Sequence, residues 1–301
     1  MRDHTGVRIG VSLRSAYLVD DVRRGAGWMV ERAAAARDAG LDSLFVGDHH
    51  AVPAPYYQNV PMLGRLLAEW NDNPCGALFL LPLWHPVLLA EQVGTLASVA
   101  RGRFILECAV GGGDEQFAAM GVDIKRRPSL FERGLDVVRR LLAGEEVDGA
   151  RIAPVPPEPV EVWIGASAPA PIDRAARLGD GWLANADLTL ETARDQIALY
   201  RDACERHGHT PTALAIRKDV YVGESEADVE AVAGPVIAAG YRGFDPTALV
   251  VGTVEQVAEQ FRAYEELGFT EISVRQLADD QTPALASIHR LADVKSLLNA
   301  T

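Results

Sequence analysis

Hydrophobic positions fall into two kinds of run that alternate along the chain. Short apolar runs rich in Val, Ile, Leu and Phe read as buried strands over residues 7–13, 43–46, 76–81, 104–110, 160–165, 181–184, 214–222 and 271–275. Between them, apolar residues recur at three- and four-residue spacing, as in a helix with one buried face. Phe131, Leu135, Val138 and Leu142 form one such stripe, and Leu89, Val93 and Leu96 another. Leu190, Ala193, Ile197, Tyr200 and Cys204 form a third. Thr189, Ser225 and the capping-box pair Thr253 and Gln256 mark helix starts, and Pro86 opens a first turn. A helix over 27–39 is expected to stop at Gly40, another to end near Trp70, a third to run to Leu178 and a last one to close the chain.

Eight strands alternating with helices, with no linker or internal repeat between them, predict a single α/β domain over residues 1–301. The architecture that fits is an eight-stranded (β/α)8 TIM barrel with extended loops at the carboxyl ends of the strands. No G-x-G-x-x-G follows the first strand, so a dinucleotide-binding sheet lacks its main support. Residues 144–159, rich in Gly, Glu and Pro, read as a long surface connection.

Composition narrows the function more than the fold. At 48% hydrophobic residues the chain has ample material for a core. The net charge of −13 argues against a nucleic-acid partner, and the densest basic cluster, Lys125-Arg126-Arg127, is too short to change that. Three scattered cysteines, Cys75, Cys108 and Cys204, contain no C-x-x-C pair and are expected as buried thiols in a reduced cytoplasm. No apolar run approaches the length of a membrane span, and no secretory leader is evident.

In a barrel of this kind ligands bind at the carboxyl ends of the strands. Four strand ends carry chemistry. Asp48-His49-His50 closes the second, and residues 78–82 form the last half of the third. Gly111-Gly112-Gly113-Asp114 follows the fourth, and Gly165-Ala166-Ser167-Ala168 follows the fifth. The Asp-His-His triplet admits metal ligation or proton transfer. Neighbouring residues on a strand point to opposite faces, which disfavours two histidines on one ion, so no metal is expected. His49 then has a ring suited to proton transfer near neutral pH, with Asp48 to orient it or to bond a ligand. The glycines let another molecule approach the backbone closely. The turn at 165–168 opens a helix, so its free N–H groups and the helix dipole suit an anion. Pro169 and Pro171 leave Ala166, Ser167, Ala168 and Ala170 as the donors.

Together these segments resemble the bacterial luciferase-like family of flavin- and deazaflavin-dependent oxidoreductases. The resemblance rests on residues 40–50 ending in Gly-Asp-His-His, on 80–91 with Leu-Leu-Pro-Leu-Trp-His-Pro, on 102–113 continuing to Arg127 and Glu132, and on 163–182. It covers nearly the whole chain. It implies an enzyme: a barrel that binds coenzyme F420 or FMN at its mouth and moves hydride to or from a small organic substrate. Asp48 then matches the family's cofactor contact, His49 its proton donor or base, and Asp114 a second acid or base, with His50 beside them. Leu78, Phe79 and Leu80 match the strand that presses on the ring, with a cis peptide expected at Leu78-Phe79. Gly111, Gly112 and Gly113 match the close approach to the ring. Gly165, Ala166, Ser167 and Ala168 match the phosphate loop, with Ala166 in place of a common glycine. The compact chain favours the deazaflavin. An FMNH2-dependent monooxygenase supplied by a separate reductase is the alternative, and a metal-dependent hydrolase or a non-catalytic flavin-binding barrel lies further off. Tyr56 and Tyr57, in the loop over 52–61, are placed to cover the pocket. Members of the family commonly form homodimers, and Leu63, Leu66, Leu67 and Trp70 are candidates for that face.

Overall fold

A computed structural model describes residues 6–300 of the chain. The strands are β1 (Arg8–Leu13), β2 (Leu44–Val46), β3 (Cys75–Leu80), β4 (Phe104–Ala109), β5 (Glu161–Gly165), β6 (Gly181–Ala184), β7 (Ala213–Val222), β8 (Val250–Gly252) and β9 (Glu271–Gln276). The helices are α1 (Val22–Asp38), α2 (Asn59–Leu66), α3 (Pro86–Val99), α4 (Asp114–Ala119), α5 (Arg127–Leu142), α6 (Pro169–Leu178), α7 (Leu190–His207), α8 (Glu226–Ala238), α9 (Val254–Leu267) and α10 (Gln281–Asn299).

Every strand pairing is parallel, and the order runs β6-β5-β4-β3-β2-β1-β9-β7 with a further β6–β7 pairing that closes the ring. The result is the expected eight-stranded barrel. β8 is additional: three residues that pair only with the last part of β7, Val220–Val222 against Val250–Gly252. The expected eighth strand is therefore the ninth in sequence. β8 is too short to carry a pattern that sequence reading can detect. The short helix α4, too, lies where only an acidic-polar triplet was legible.

Alternation along each strand divides the core. Leu44, Val46, Leu106, Cys108, Val162, Ile164, Leu214 and Ile216 join the large cluster packed under the helices. Their neighbours Phe45, Ile105, Trp163, Ala213 and Ala215 form a separate cluster that fills the barrel. A sheet buried on both faces explains why the strands read as continuous apolar runs. The fill is tight: a Cβ added to Gly76 would stand 2.0 Å from the Ile105 carbonyl oxygen.

Helix ends follow the predicted caps. The Thr189 and Ser225 side chains accept N–H groups of Thr192 and Asp228, and Gln256 Oε1 accepts the Thr253 N–H at 2.9 Å. α1 begins at Val22, five residues before the expected start, because Asp21 caps it and Gly25 is needed where the Tyr57 hydroxyl packs. Two expectations are corrected. Leu78-Phe79 is a trans peptide; among the described residues the cis bond is Ala153-Pro154. β3 keeps a regular register with β4 through Leu80↔Ala109, and no bulge is present to offset the about 3 kcal/mol a non-prolyl cis bond costs. Leu63, Leu66, Leu67 and Trp70 are buried within the chain against α3 and the barrel wall, so they do not form a dimer face.

Candidate active site

At the carboxyl ends of β1, β2, β3, β7 and β9 the barrel opens into a cavity of about 430 Å³. His49 and Asp48 line it from β2, Leu78 from β3, Arg217 from β7 and Arg275 from β9. Val52, Ala54 and Tyr56 cover it from the loop before α2, and Tyr241 and Arg242 from the segment after α8. That loop is held in place by a bridge between Ala16 and Tyr56. Tyr56 faces the cavity. Tyr57 instead packs beside Tyr17 and donates its hydroxyl to the Val22 carbonyl.

The two histidines diverge in the extended segment that follows β2. The His49 ring lies 5.8 Å from that of Tyr56. Burial holds its pKa below the usual imidazole value, against the upward pull of Asp48, so the ring is neutral at pH 7. His50 turns behind the cavity wall, 5.6 Å from the Trp84 ring. Its Nε2 is 3.1 Å from Asp48 Oδ1, close enough for an ion pair but without the alignment of a hydrogen bond. Asp48 Oδ2 accepts the Leu80 N–H and the Trp84 indole N–H, each at 2.8 Å. One carboxylate thus pins the end of β3 and the start of the following turn to the end of β2, while still edging the cavity.

The third-strand residues split. Leu78 faces the cavity. Phe79 points the other way, 5.1 Å from the Trp84 ring. Leu80 packs with Leu83 and Phe117 beside the glycine loop.

That loop lies on the β4 side of the mouth, outside the cavity lining. Gly111 and Gly113 take φ of 71° and 89°, the left-handed conformation that glycine permits. Gly112 is open: a Cβ there would meet only Arg127 Nη1, at 3.9 Å. Gln116 clasps the loop, donating to the Gly112 carbonyl at 2.9 Å and accepting the His50 N–H at 2.7 Å. Asp114 opens α4 in an exposed position and is not brought together with His49 in the cavity.

The β5 turn is its neighbour, with the Cβ position of Gly165 3.5 Å from Ala109 Cβ. The Ala166 N–H donates to the Leu183 carbonyl at 3.3 Å, and the Ala166 carbonyl accepts the Trp182 indole N–H at 2.9 Å. Ala166 is therefore committed to the barrel wall. Ser167, Ala168 and Ala170 remain exposed at the start of α6. Gln196 and Asn185 hold Ser167 from outside, at 3.0 and 3.1 Å. The glycine loop and this turn fit a group that needs close backbone approach and an anion at a helix end.

Sequence reading missed the arginines. Arg217, midway along β7, and Arg275, next to last in β9, occupy inward positions, and their Nε atoms have no hydrogen-bond partner in the protein. Charged residues at inward positions of otherwise apolar strands were the available signal. Among the described residues no group of three or more His, Cys, Asp or Glu is placed to hold a metal ion.

The profile of the family described as luciferase-like monooxygenase matches residues 8–249. The chain belongs to this family. An F420-dependent glucose-6-phosphate dehydrogenase of Nakamurella multipartita is 28% identical over 221 residues, 65% of this chain and 63% of that protein. The matched stretches span only 63%, 49% and 56% of the first three curated relatives. Among solved structures, the oxygenating constituent of 3,6-diketocamphane monooxygenase from Pseudomonas putida, in complex with FMN, superposes with a TM-score of 0.80 at 17% identity, over 95% of this chain and 97% of that one. An F420-dependent secondary alcohol dehydrogenase with an F420-acetone adduct gives 0.76 at 17% identity, over 96% and 99%. At these identities the superpositions establish the fold.

Proposed function

We propose that the chain is an oxidoreductase that binds coenzyme F420 at the barrel mouth and exchanges hydride with a small organic substrate. The observation that carries the proposal is a neutral histidine inside a substrate-sized cavity, with a glycine loop and an anion-receptive turn on the same rim. Gly111, Gly112 and Gly113 would admit the ring system, and Ser167, Ala168 and Ala170 would donate to its phosphate. Bound there, the deazaflavin supplies a site that takes up or releases hydride. This chain's part is to place the substrate and move the balancing proton. His49, neutral at pH 7, is a base, so it would accept the proton of a substrate hydroxyl as that carbon is oxidised. Protonated at lower pH, it would serve the reverse direction. Tyr56 and Leu78 would keep water from the reacting atoms. Asp48 would hold the rim in shape, and Asp114 and His50 stand outside the cavity.

The F420 dependence of the curated relatives supports the deazaflavin. FMN, with a separate reductase and oxygen as co-substrate, is the second reading, favoured by the monooxygenase profile. The three cysteines, free and buried, accord with a cytoplasmic location. A homodimer would have to use a face other than Leu63, Leu66, Leu67 and Trp70.

The test is equilibrium binding of oxidised F420 and of FMN by fluorescence, with Gly112→Val beside the parent. Gly112 has room for a side chain, so Val fills the cradle in a folded protein. The proposal expects F420 to bind the parent and to lose affinity for the variant. Binding of neither cofactor would overturn it.

A further inference from the structure

The cavity is much more cationic than the protein around it. Four arginines, Arg14, Arg217, Arg242 and Arg275, line it in a chain of net charge −13. Arg14 is occupied elsewhere: it donates to the Ala16 carbonyl and pairs with Asp279. The other three surround one carboxylate, Asp219, which is fully buried. They do not satisfy it. Arg242 Nη1 stands 3.7 Å from Asp219 Oδ2 and Arg275 Nε 3.8 Å from Oδ1, and neither oxygen has a hydrogen bond. Arg217 Nε and Arg275 Nε likewise have no acceptor. Ion pairs at these separations hold charge near the site without consuming the donors.

A guanidinium that lines a cavity and keeps an N–H without an acceptor matches the oxygens of a carboxylate or a phosphate. We infer that the cavity takes a substrate bearing an acid group, carboxylate or phosphate, gripped by Arg275 and Arg217 and closed over by Arg242. Asp219 sets the spacing of the guanidinium groups and keeps the empty site from repelling itself apart. The acid group then lies on the β7 and β9 side, and the rest of the molecule extends across Leu78 toward His49 on β2. The substrate's reacting carbon is thereby fixed at a distance from its charge. Arg242 reaches the cavity from the turn after α8, with its guanidinium 5.0 Å from the Phe244 ring centre. This inference names the substrate class of the proposed oxidoreductase and rests on that reading for the role of His49.

The test separates the two. Binding of orthophosphate, benzoate and the neutral benzamide is measured by calorimetry on the full chain, and F420 and FMN binding is measured separately on the same preparations. The parent should bind at least one anion and not benzamide. Arg275→Gln should weaken that anion by about tenfold or more, the effect of losing a charged hydrogen-bond pair. Arg275→Lys, which keeps the charge but not the fork, should recover part of the loss and shows that the fold is intact. Cofactor affinity should be the same in all three. Phosphate alone binding identifies a phosphoester substrate and benzoate alone a carboxylic acid, each in support. Absence of anion binding, equal binding of benzamide, or anion affinity unchanged in Arg275→Gln would overturn the inference. Loss of cofactor rather than anion affinity would also overturn it, by assigning the arginines to the cofactor.

Discussion

Glu107 should make the stability of this barrel fall with rising pH. The residue is 4% exposed and stands on β4 level with Leu78 of β3 and Trp163 of β5. Burial pushes its pKa up to about 8, the buried Glu271 carboxylate adds to the rise, and Arg217 works against it. At pH 7 the group is therefore mostly protonated in the folded state and ionised in the unfolded one. A folded-state pKa above the unfolded value contributes stability that is complete below about pH 4.5 and is lost as the pH climbs through about 8. The difference between those two values, at about 1.4 kcal/mol per unit, is on the order of 5 kcal/mol, a ceiling because relaxation and water entry reduce it. Glu107→Gln reproduces the shape of the protonated acid and cannot ionise. Unfolding in urea at pH 5, 7 and 9 should give nearly equal stability for parent and variant at pH 5. At pH 9 the variant should be the more stable by roughly 2–5 kcal/mol, within that ceiling. Equal stability of the two proteins at all three pH values would refute the reasoning, since it would mean that Glu107 reaches solvent or a compensating cation.

Three further substitutions test other parts of the structure. Asp48→Ala removes the acceptor for both Leu80 N–H and the Trp84 indole; it should cost about 3 kcal/mol in urea unfolding, and Asp48→Asn clearly less because one oxygen remains. Gly76→Ala would drive a methyl group against the Ile105 carbonyl oxygen, which cannot move without breaking the β3–β4 ladder, so a loss of about 3 kcal/mol or a failure to fold is expected in thermal unfolding. For His49→Ala, turnover with the substrate once found should drop by about 10² to 10⁴, and the rise of the parent's rate with pH, centred below the usual histidine value, should vanish from the profile. A profile that keeps its inflection in the variant would take His49 out of the proton transfer.

The barrel was legible because its strands are buried on both faces. Phe104–Ala109 and Glu161–Gly165 could be found to within a residue from hydrophobicity alone, and β6 to the residue. What escaped was short or locally determined. β8 has three residues and pairs with only the end of β7, so nothing in its composition separates it from a loop. His49 and His50 were expected to diverge by strand alternation; they do diverge, but both lie beyond the end of β2, where the path of the loop sets their directions. The position of Asp114 did not follow from alternation, because α4 carries it to the exposed side of the glycine loop. The dimer face failed for a different reason. An apolar stripe on a helix shows that something covers it but not what, and here the cover is the chain's own α3 and barrel wall. Arg217, Arg242 and Arg275 come from three segments of the second half of the chain, and only closure of the ring brings them to one cavity.

The two ends of the barrel hold their buried carboxylates differently. Near the amino ends of the strands, Glu271 accepts the Ser43 hydroxyl at 2.5 Å and pairs with Arg8 at 3.1 Å, and Glu161 accepts the Trp163 indole N–H at 2.7 Å and pairs with Arg103 at 2.5 Å. These charges are held at contact distance, as a structural role requires. At the carboxyl ends, Asp219 stands 3.7 and 3.8 Å from its arginines, and the Ser15 and Tyr241 hydroxyls and both amide atoms of Gln276 have no partner in the protein. Each buried polar group without a partner costs about 1–3 kcal/mol. The unpaired groups gathered at the rim carry that cost where a ligand can relieve it. The relief runs both ways: whatever the rim binds should stabilise the fold as it binds, so a ligand can be recognised by the rise in unfolding temperature it produces before any reaction is known.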